Sequence, residues 1–171
     1  YLPVSFIRMF ASRYVAGETA RQALKIVREL NSKGYSATLD ILGEHSKNKV
    51  DALNVTQEYT DLYGYILSHN LNCNISIKPT HIGLDIEEEC AQNNLNTLAK
   101  TAQETNNFLR IDMENSKVTT TTLKLYKECK KKYSEVGTVL QAYLYRSKDD
   151  LIMLSKDKSC NVRLCKGIYR E

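Results

Sequence analysis

Proline and glycine are both scarce in this chain, which has two prolines and seven glycines among its 171 residues. This scarcity excludes a collagen-like class, and a composition of 42% hydrophobic and 26% charged residues excludes the disordered class. The five cysteines form neither a CxxC pair nor a Cys/His spacing typical of zinc sites. We therefore expect no disulfide scaffold, and we expect most thiols to be small buried groups of a protein in a reducing compartment.

Long apolar runs and several common motifs are also missing. No stretch approaches the ~18 apolar residues of a transmembrane helix, and no signal peptide opens the chain. Neither the GxGxxG nor the P-loop motif occurs, so classical dinucleotide and P-loop sites are not supported, and HExxH and GxSxG are absent too. His45, His69 and His81 are expected on separate loops or helix ends. His45 and His81 follow the first two predicted strands and could line a site there, but all three are expected to be surface histidines, so no metal site is predicted.

The net charge is 24 − 20 = +4, which is only mildly basic. The one dense lysine cluster, residues 127–132, falls where a helix should end, and cations at that end complement the helix dipole. We therefore predict no nucleic-acid partner, because such a partner usually requires basic residues clustered on one recognition element.

Two hydrophobic periods alternate along the chain. Runs typical of strands are 37–42, 73–77, 108–112, 137–141 and 161–165. Helical periodicity covers roughly 19–33, 50–69, 86–106, 118–133 and 147–156, with Thr19 and Asp51 near helix starts and Gly34 at a helix end. This order predicts an α/β protein with parallel strands covered by helices. We expect one domain over 1–171, with an N-terminal helical segment at 1–35 and five βα units at 36–171.

One face of each predicted strand is apolar, and the opposite face is polar in nearly every strand. The polar groups near the carboxyl ends share one parity: Asp40, Lys78, Asp112, Gln141 and Arg163. A doubly wound sheet needs two apolar faces, whereas a βα barrel turns one face toward its own interior. The pattern therefore favours a barrel with its chemistry at the carboxyl ends of the strands. The alternative is a purely structural ion-pair network inside the barrel.

The sequence resembles the FAD-dependent proline dehydrogenase family at these strand ends. The matching segments are RYVAGET (13–19), ATLDILGE (37–44), NISIKPTHIGLD (74–85), LRIDMEN (109–115), VGTVLQAYLYRS (136–147) and VRLCKGIYRE (162–171). They occur in the family's order and at fitting intervals from about residue 13 to the last residue. The resemblance implies a (βα)8 TIM-type barrel, of which this chain supplies about five βα units.

The resemblance also implies roles for individual residues. Lys78 corresponds to the lysine that pairs with the proline carboxylate, and Tyr169 to a tyrosine of the proline pocket. Asp112 and Arg163 correspond to catalytic positions, with Arg163 beside flavin N5. The residues implied to contact FAD are Met113, Gln141, Arg163, Lys166, Gly167 and Ile168.

The implied reaction is oxidation of L-proline to 1-pyrroline-5-carboxylate, with hydride transfer from proline C5 to FAD N5. The implied partner is a quinone or another electron acceptor at a membrane surface. The implied location is the cytoplasm or the inner face of a membrane, on the mitochondrial matrix side in a eukaryote. Counting Asp40 and Asp112 against Lys78, Arg110 and Arg163, we expect a site charge of about +1, which would stabilise anionic ligands.

Two other functions stay open from the sequence. A lysine at a strand end of a barrel, Lys78 or Lys166, could form a Schiff base as in an aldolase. A barrel typically needs about 250 residues, so the chain on its own could also be an inactive part of a barrel.

Overall fold

A computed structural model describes residues 15–169 of the chain. Residues 1–14 of the predicted N-terminal helical segment (1–35) therefore lie outside the described residues. The elements are α1 (Ala20–Ser32), β1 (Ala37–Leu39), α2 (Lys49–Ser68), β2 (Cys73–Ile77), α3 (Glu88–Glu104), β3 (Leu109–Ile111), α4 (Ser116–Lys130), β4 (Val136–Gln141), α5 (Ser147–Leu154) and β5 (Val162–Cys165). Among these helices, none is both long and apolar enough to cross a bilayer.

Local capping chemistry explains where the helices begin. The Thr19 side chain accepts a hydrogen bond from the Gln22 backbone N–H and begins α1, as predicted. Asp51 lies in the first turn of α2, near the helix start as predicted. Asn48 is the capping residue, and its side chain accepts from the Asp51 backbone N–H at 2.9 Å. Asn115 caps α4 in the same way, so the threonine run 119–122 lies inside that helix.

The five strands form one parallel sheet in the order β1-β2-β3-β4-β5. This is the order of five consecutive units of a βα barrel and confirms the predicted fold class. The register pairs Leu39 with Ile75, Ile75 with Leu109, and Leu109 with Val136. Ile75, Leu109 and Val136 are fully buried. They belong to the core between sheet and helices, whose largest buried side chains include Tyr59, Tyr63, Tyr126, Leu95 and Leu98.

Strand β1 is shorter than predicted, since it ends at Leu39 and not at residue 42. The reason is a hydrogen bond from outside the sheet. The Ile41 backbone N–H donates to the Tyr59 hydroxyl of α2 at 3.2 Å. The chain therefore leaves the sheet directly after Leu39, and Asp40 lies at the point of departure.

A glycine in β4 makes room for a charged side chain on the polar face of the sheet. The Arg110 guanidinium lies over the Phe108 ring, with Cζ 4.7 Å from the ring centroid. It donates to the Thr138 carbonyl at 3.0 Å and to the Asn161 side-chain oxygen at 2.8 Å. A Cβ on Gly137 would collide with the Arg110 guanidinium and would stand 2.7 Å from Phe108 Cζ and 2.9 Å from the Asn161 carbonyl oxygen.

We therefore expect Gly137→Ala to destabilise the protein by about 1–3 kcal/mol through overpacking. Gly64 is the matched control, because it lies in α2 and a Cβ there meets no atom within 4 Å. Gly64→Ala should stabilise by about 0.5–1 kcal/mol, as in an exposed helix. Urea unfolding of the two variants measures both changes. Equal stability of the Gly137 variant and the unchanged protein would contradict this packing account.

Candidate functional site

Two ion pairs form the centre of the candidate site on the polar face of the sheet. Lys78, just beyond β2, donates from Nζ to Asp40 Oδ2 at 2.7 Å. Arg163, in β5, donates from Nη2 to Asp112 Oδ1 at 2.6 Å. Four of the five residues predicted from strand parity are thus brought together in two pairs. The pairs join β1 to β2 and β3 to β5, so the polar face is tied together across the sheet.

Asp112 lies directly after β3, where its backbone N–H still donates to the Ile77 carbonyl at 2.9 Å. The same carboxylate oxygen that pairs with Arg163 also accepts from the Ser76 hydroxyl at 2.5 Å. Burial raises the pKa of Asp112, while the Ser76 hydrogen bond and the Arg163 charge oppose that rise. The carboxylate is therefore a shared acceptor that fixes the position of the Arg163 guanidinium.

Lys78 is mostly buried, with 19% of its side chain exposed. Burial lowers the pKa of Lys78, but the hydrogen bond and charge of Asp40 outweigh burial, so the pKa is raised overall. Lys78 is consequently a protonated ammonium at neutral pH. Because an ammonium has three N–H donors, the bond to Asp40 does not exhaust its capacity to bind an anion.

Gln141 is almost completely buried at the end of β4. Its side-chain N–H groups donate to the Met113 carbonyl at 2.5 Å and to the Glu114 carbonyl at 3.2 Å. Its side-chain oxygen accepts from the Ile168 backbone N–H at 3.1 Å. Gln141 therefore connects the segments that follow β3 and β5 at the carboxyl edge of the sheet.

The segment Lys166, Gly167 and Ile168 lies beside Gln141. The Lys166 carbonyl accepts from the Tyr143 backbone N–H at 3.0 Å. Gly167 has a φ of +87°, and a Cβ there would collide with the Gln141 side chain. Both features require glycine at this position, and Ile168 is left largely exposed beyond it.

Tyr169 follows β5, and its side chain contacts the loop after β1. Its hydroxyl donates to Glu44 Oε1 at 3.4 Å. Burial and the neighbouring Glu44 charge raise the pKa of Tyr169 to about 12. The hydroxyl therefore remains protonated at neutral pH and can act as a hydrogen-bond donor.

The sequence interpretation overlooked a buried carboxylate, Glu114. It is 2% exposed and accepts from the Thr80 backbone N–H at 3.0 Å and from the Thr80 hydroxyl at 2.6 Å. Burial raises the pKa of Glu114, and the two Thr80 hydrogen bonds oppose the rise. Glu114 follows Asp112 by two residues and shares its parity, so extending the strand pattern by one step would have found it.

One expectation about charged residues requires correction, and another stays a prediction. Arg110 was counted with the cations of the site; β3 pairs it with Gly137, nearer the amino end of β4, and it donates to Asn161. Burial and the neighbouring Arg163 charge lower the pKa of Arg110, while the Asp112 charge opposes that change. His81 was expected at the surface, but it is buried, and burial lowers its pKa. Gly43 lies so close to the His81 ring that a Cβ at residue 43 would collide with it.

Across residues 15–169, no group of three or more His, Cys, Asp or Glu side chains is placed to hold a metal ion. The five cysteines are free thiols, and Cys73 and Cys129 are buried.

Parallel strands in sequential order, with charged side chains at their carboxyl ends, define a βα-barrel protein with a ligand site at that edge. A model of the family described as proline dehydrogenase matches residues 23–171. The chain belongs to the proline dehydrogenase family.

Individual relatives agree with the family match. Proline dehydrogenase 1 of Bacillus subtilis (strain 168) is 40% identical over 164 residues, which are 96% of this chain and 54% of the relative. Proline dehydrogenase 2 of the same strain is 36% identical over 166 residues, with the same two coverages. The chain therefore spans about half the length of the curated relatives it matches.

A solved structure shows the same fold. Proline utilization A from Bdellovibrio bacteriovorus, in a crystal structure inactivated by N-propargylglycine, has a TM-score of 0.84 and 24% sequence identity to this chain. The match covers 94% of this chain and 20% of that protein. The five described strands and their helices are therefore part of a barrel of that type.

Proposed function

We propose that the protein containing this chain oxidises L-proline to 1-pyrroline-5-carboxylate with FAD as its cofactor. Membership of the proline dehydrogenase family supports the reaction class. The observation that carries the proposal is the pair of cations, Lys78 and Arg163, held by carboxylates on one face at the carboxyl edge of the sheet.

Lys78 is the proposed partner of the proline carboxylate. Its Nζ is held by Asp40 at 2.7 Å, and the raised pKa keeps the group cationic. A charge-assisted hydrogen bond to a carboxylate both orients the substrate and fixes its distance from the other groups. Tyr169, whose hydroxyl donates to Glu44, is proposed as a second wall of the proline pocket.

The donor groups at this edge fit FAD. Arg163 has 42% of its side chain exposed, and its bond to Asp112 uses one of the five N–H donors of a guanidinium. Gly167 lets the backbone after β5 lie close to Gln141. Met113, Gln141, Arg163 and the segment 166–168 are the residues proposed to hold the cofactor. When bound, FAD supplies the acceptor for the hydride that leaves proline C5.

The chain's own residues have separable tasks in this proposal. Arg163, fixed by Asp112, places a positive charge where negative charge develops on the cofactor. Lys78, fixed by Asp40, holds the substrate. Gln141 holds the edge of the site together through its three backbone contacts.

The electron acceptor and the location are also proposals. We propose a quinone or a similar acceptor at a membrane surface, with the protein in the cytoplasm or peripheral to the inner face of the membrane. In a eukaryote, the proposed location is the mitochondrial matrix side of the membrane. Quinone reduction by the proline-treated protein, with and without vesicles, tests this part separately.

The Schiff-base aldolase function is less well supported. A lysine nucleophile must lose its proton, but Asp40 raises the pKa of Lys78. Lys166 is exposed and lies beyond the end of β5. Two measurements separate the functions: borohydride trapping of a carbonyl substrate, and loss of the visible flavin absorbance on addition of L-proline. We expect flavin reduction and no trapped lysine, and the reverse result would contradict the proposal.

Replacing Arg163 with methionine should slow reduction of the flavin by proline about 10- to 100-fold, because a fixed cation is lost. The substitution should also raise the pKa of Asp112 further, since the Arg163 charge opposes the rise that burial causes. Stopped-flow absorbance measures the rate, and carboxyl NMR measures the pKa.

Arg163→Lys is the matched control for that prediction, because it keeps a positive charge at the same position. It should retain more of the rate than Arg163→Met and leave the pKa of Asp112 closer to its original value. Equal reduction rates in Arg163→Met and the unchanged protein would refute the assigned role of this residue.

A further inference from the structure

The hydroxyl of Tyr59 is a buried group next to the site that the proposed reaction does not use. Tyr59 projects from α2, is fully buried, and donates to Asp40 Oδ1 at 2.9 Å. The same hydroxyl accepts from the Ile41 backbone N–H at 3.2 Å and lies 3.4 Å from the Ile41 carbonyl. One tyrosine therefore fixes both the backbone after β1 and the first carboxylate of the site.

Asp40 depends on this contact because of its position in the chain. It follows the last residue of β1, Leu39, so the pairing with β2 ends just before it. Its two oxygens are held by different donors, Oδ1 by Tyr59 and Oδ2 by Lys78. The Tyr59 hydroxyl stays protonated, since burial raises its pKa. A neutral hydroxyl with a fixed ring is a permanent donor to the carboxylate.

We infer that Tyr59 is a positioning residue, which orients the Asp40 carboxylate and through it the Lys78 ammonium. The order of contacts is helix α2 to Tyr59, Tyr59 to Asp40, and Asp40 to Lys78. The expected effect on substrate binding rests on the proposed function, in which Lys78 binds the proline carboxylate. The contact order itself does not depend on the substrate.

Tyr63 provides a matched control on the same helix. It is also fully buried, and its hydroxyl donates to a backbone carbonyl, that of Phe108, at 3.1 Å. Phe108 directly precedes β3, at the end of the strand opposite Asp112. Replacing either tyrosine with phenylalanine removes one buried hydroxyl. At Tyr63 this removes the hydrogen bond to the Phe108 carbonyl, and at Tyr59 it removes the bond to Asp40 and the one from the Ile41 backbone N–H. Of the two tyrosines, Tyr59 is the one that contacts the site.

The experiment compares Tyr59→Phe with Tyr63→Phe in the protein that contains this chain. Tyr59→Phe should raise the KM for L-proline about tenfold with a smaller change in kcat, because a hydrogen bond to a charged group is lost. Acetylation of Lys78 by acetic anhydride, followed by peptide mass spectrometry, should become several-fold faster. Tyr63→Phe should change neither quantity.

Asp40→Asn provides a second route to the same test if Tyr59→Phe yields no folded protein. It removes the charge that holds Lys78 and should also accelerate acetylation of Lys78. Equal effects of Tyr59→Phe and Tyr63→Phe, or unchanged KM and Lys78 acetylation in Tyr59→Phe, would overturn the inference. Faster acetylation in a protein that does not oxidise proline would support the positioning role and refute the proposed function.

Discussion

The 171-residue chain on its own is expected to bind FAD weakly or not at all and to show no proline oxidation. In the described sheet, β1 pairs only with β2, and β5 pairs only with β4. Each of these edge strands leaves backbone N–H and C=O groups without a strand partner, whereas parallel sheets are normally covered on all sides. In a complete barrel, the charged face of the sheet contacts the ligand and the opposite wall. In this chain on its own, that face would be exposed to water.

Gel filtration and absorbance of the purified chain with added FAD test this expectation. Proline dehydrogenase 1 of Bacillus subtilis, of which this chain spans 54%, is the control for the assay. We expect the chain to elute without flavin and to associate through its strand edges. A monomer that carries stoichiometric flavin and is bleached by proline would show that five βα units suffice.

Replacing Lys78 with methionine should raise the KM for L-proline about 10- to 100-fold in the protein that contains this chain. A charge-assisted hydrogen bond contributes about 1.5–3 kcal/mol to binding, which corresponds to that range. FAD content should stay close to that of the unchanged protein, because the residues proposed to hold the cofactor are retained. Steady-state kinetics and the ratio of flavin to protein absorbance measure the two quantities.

Two matched variants control for loss of charge alone. Lys100 pairs with Glu104 on the exposed face of α3 at 3.6 Å, so Lys100→Met should leave the KM unchanged. Lys78→Arg keeps the positive charge and should recover part of the loss. An unchanged KM in Lys78→Met would mean that Lys78 does not bind the substrate carboxylate.

The alternation of the strands was sufficient to predict that the charged side chains of the candidate site lie on one face of the sheet. Asp40, Lys78, Asp112 and Arg163 share one parity, and the parallel register brings them to one edge. Their pairing could not be predicted, because it depends on how far each chain segment continues beyond its strand. Arg110 has the same parity and lies nearer the amino end of the sheet, where it donates to the Thr138 carbonyl and to Asn161.

The parts of the candidate site that the sequence did not predict depend on contacts between residues far apart in the chain, which no local pattern encodes. Tyr59 shares α2 with two other tyrosines, Tyr63 and Tyr65, and its position against Asp40 is set by helix packing. The Tyr59 hydroxyl also accepts from the Ile41 backbone N–H, and this hydrogen bond shortens β1. The apolar run 37–42 could not reveal that contact. Glu114 differs, since its parity with Asp112 was readable from the sequence.

The most direct test of the central claim is anaerobic mixing of the FAD-loaded protein with L-proline labelled with deuterium at C5 or unlabelled. We expect L-proline to bleach the visible flavin band, 1-pyrroline-5-carboxylate to form in equal amount, and the labelled substrate to react more slowly. Bleaching at equal rates with both substrates would contradict hydride transfer from C5 as the measured step. No bleaching by L-proline would contradict the proposed function itself.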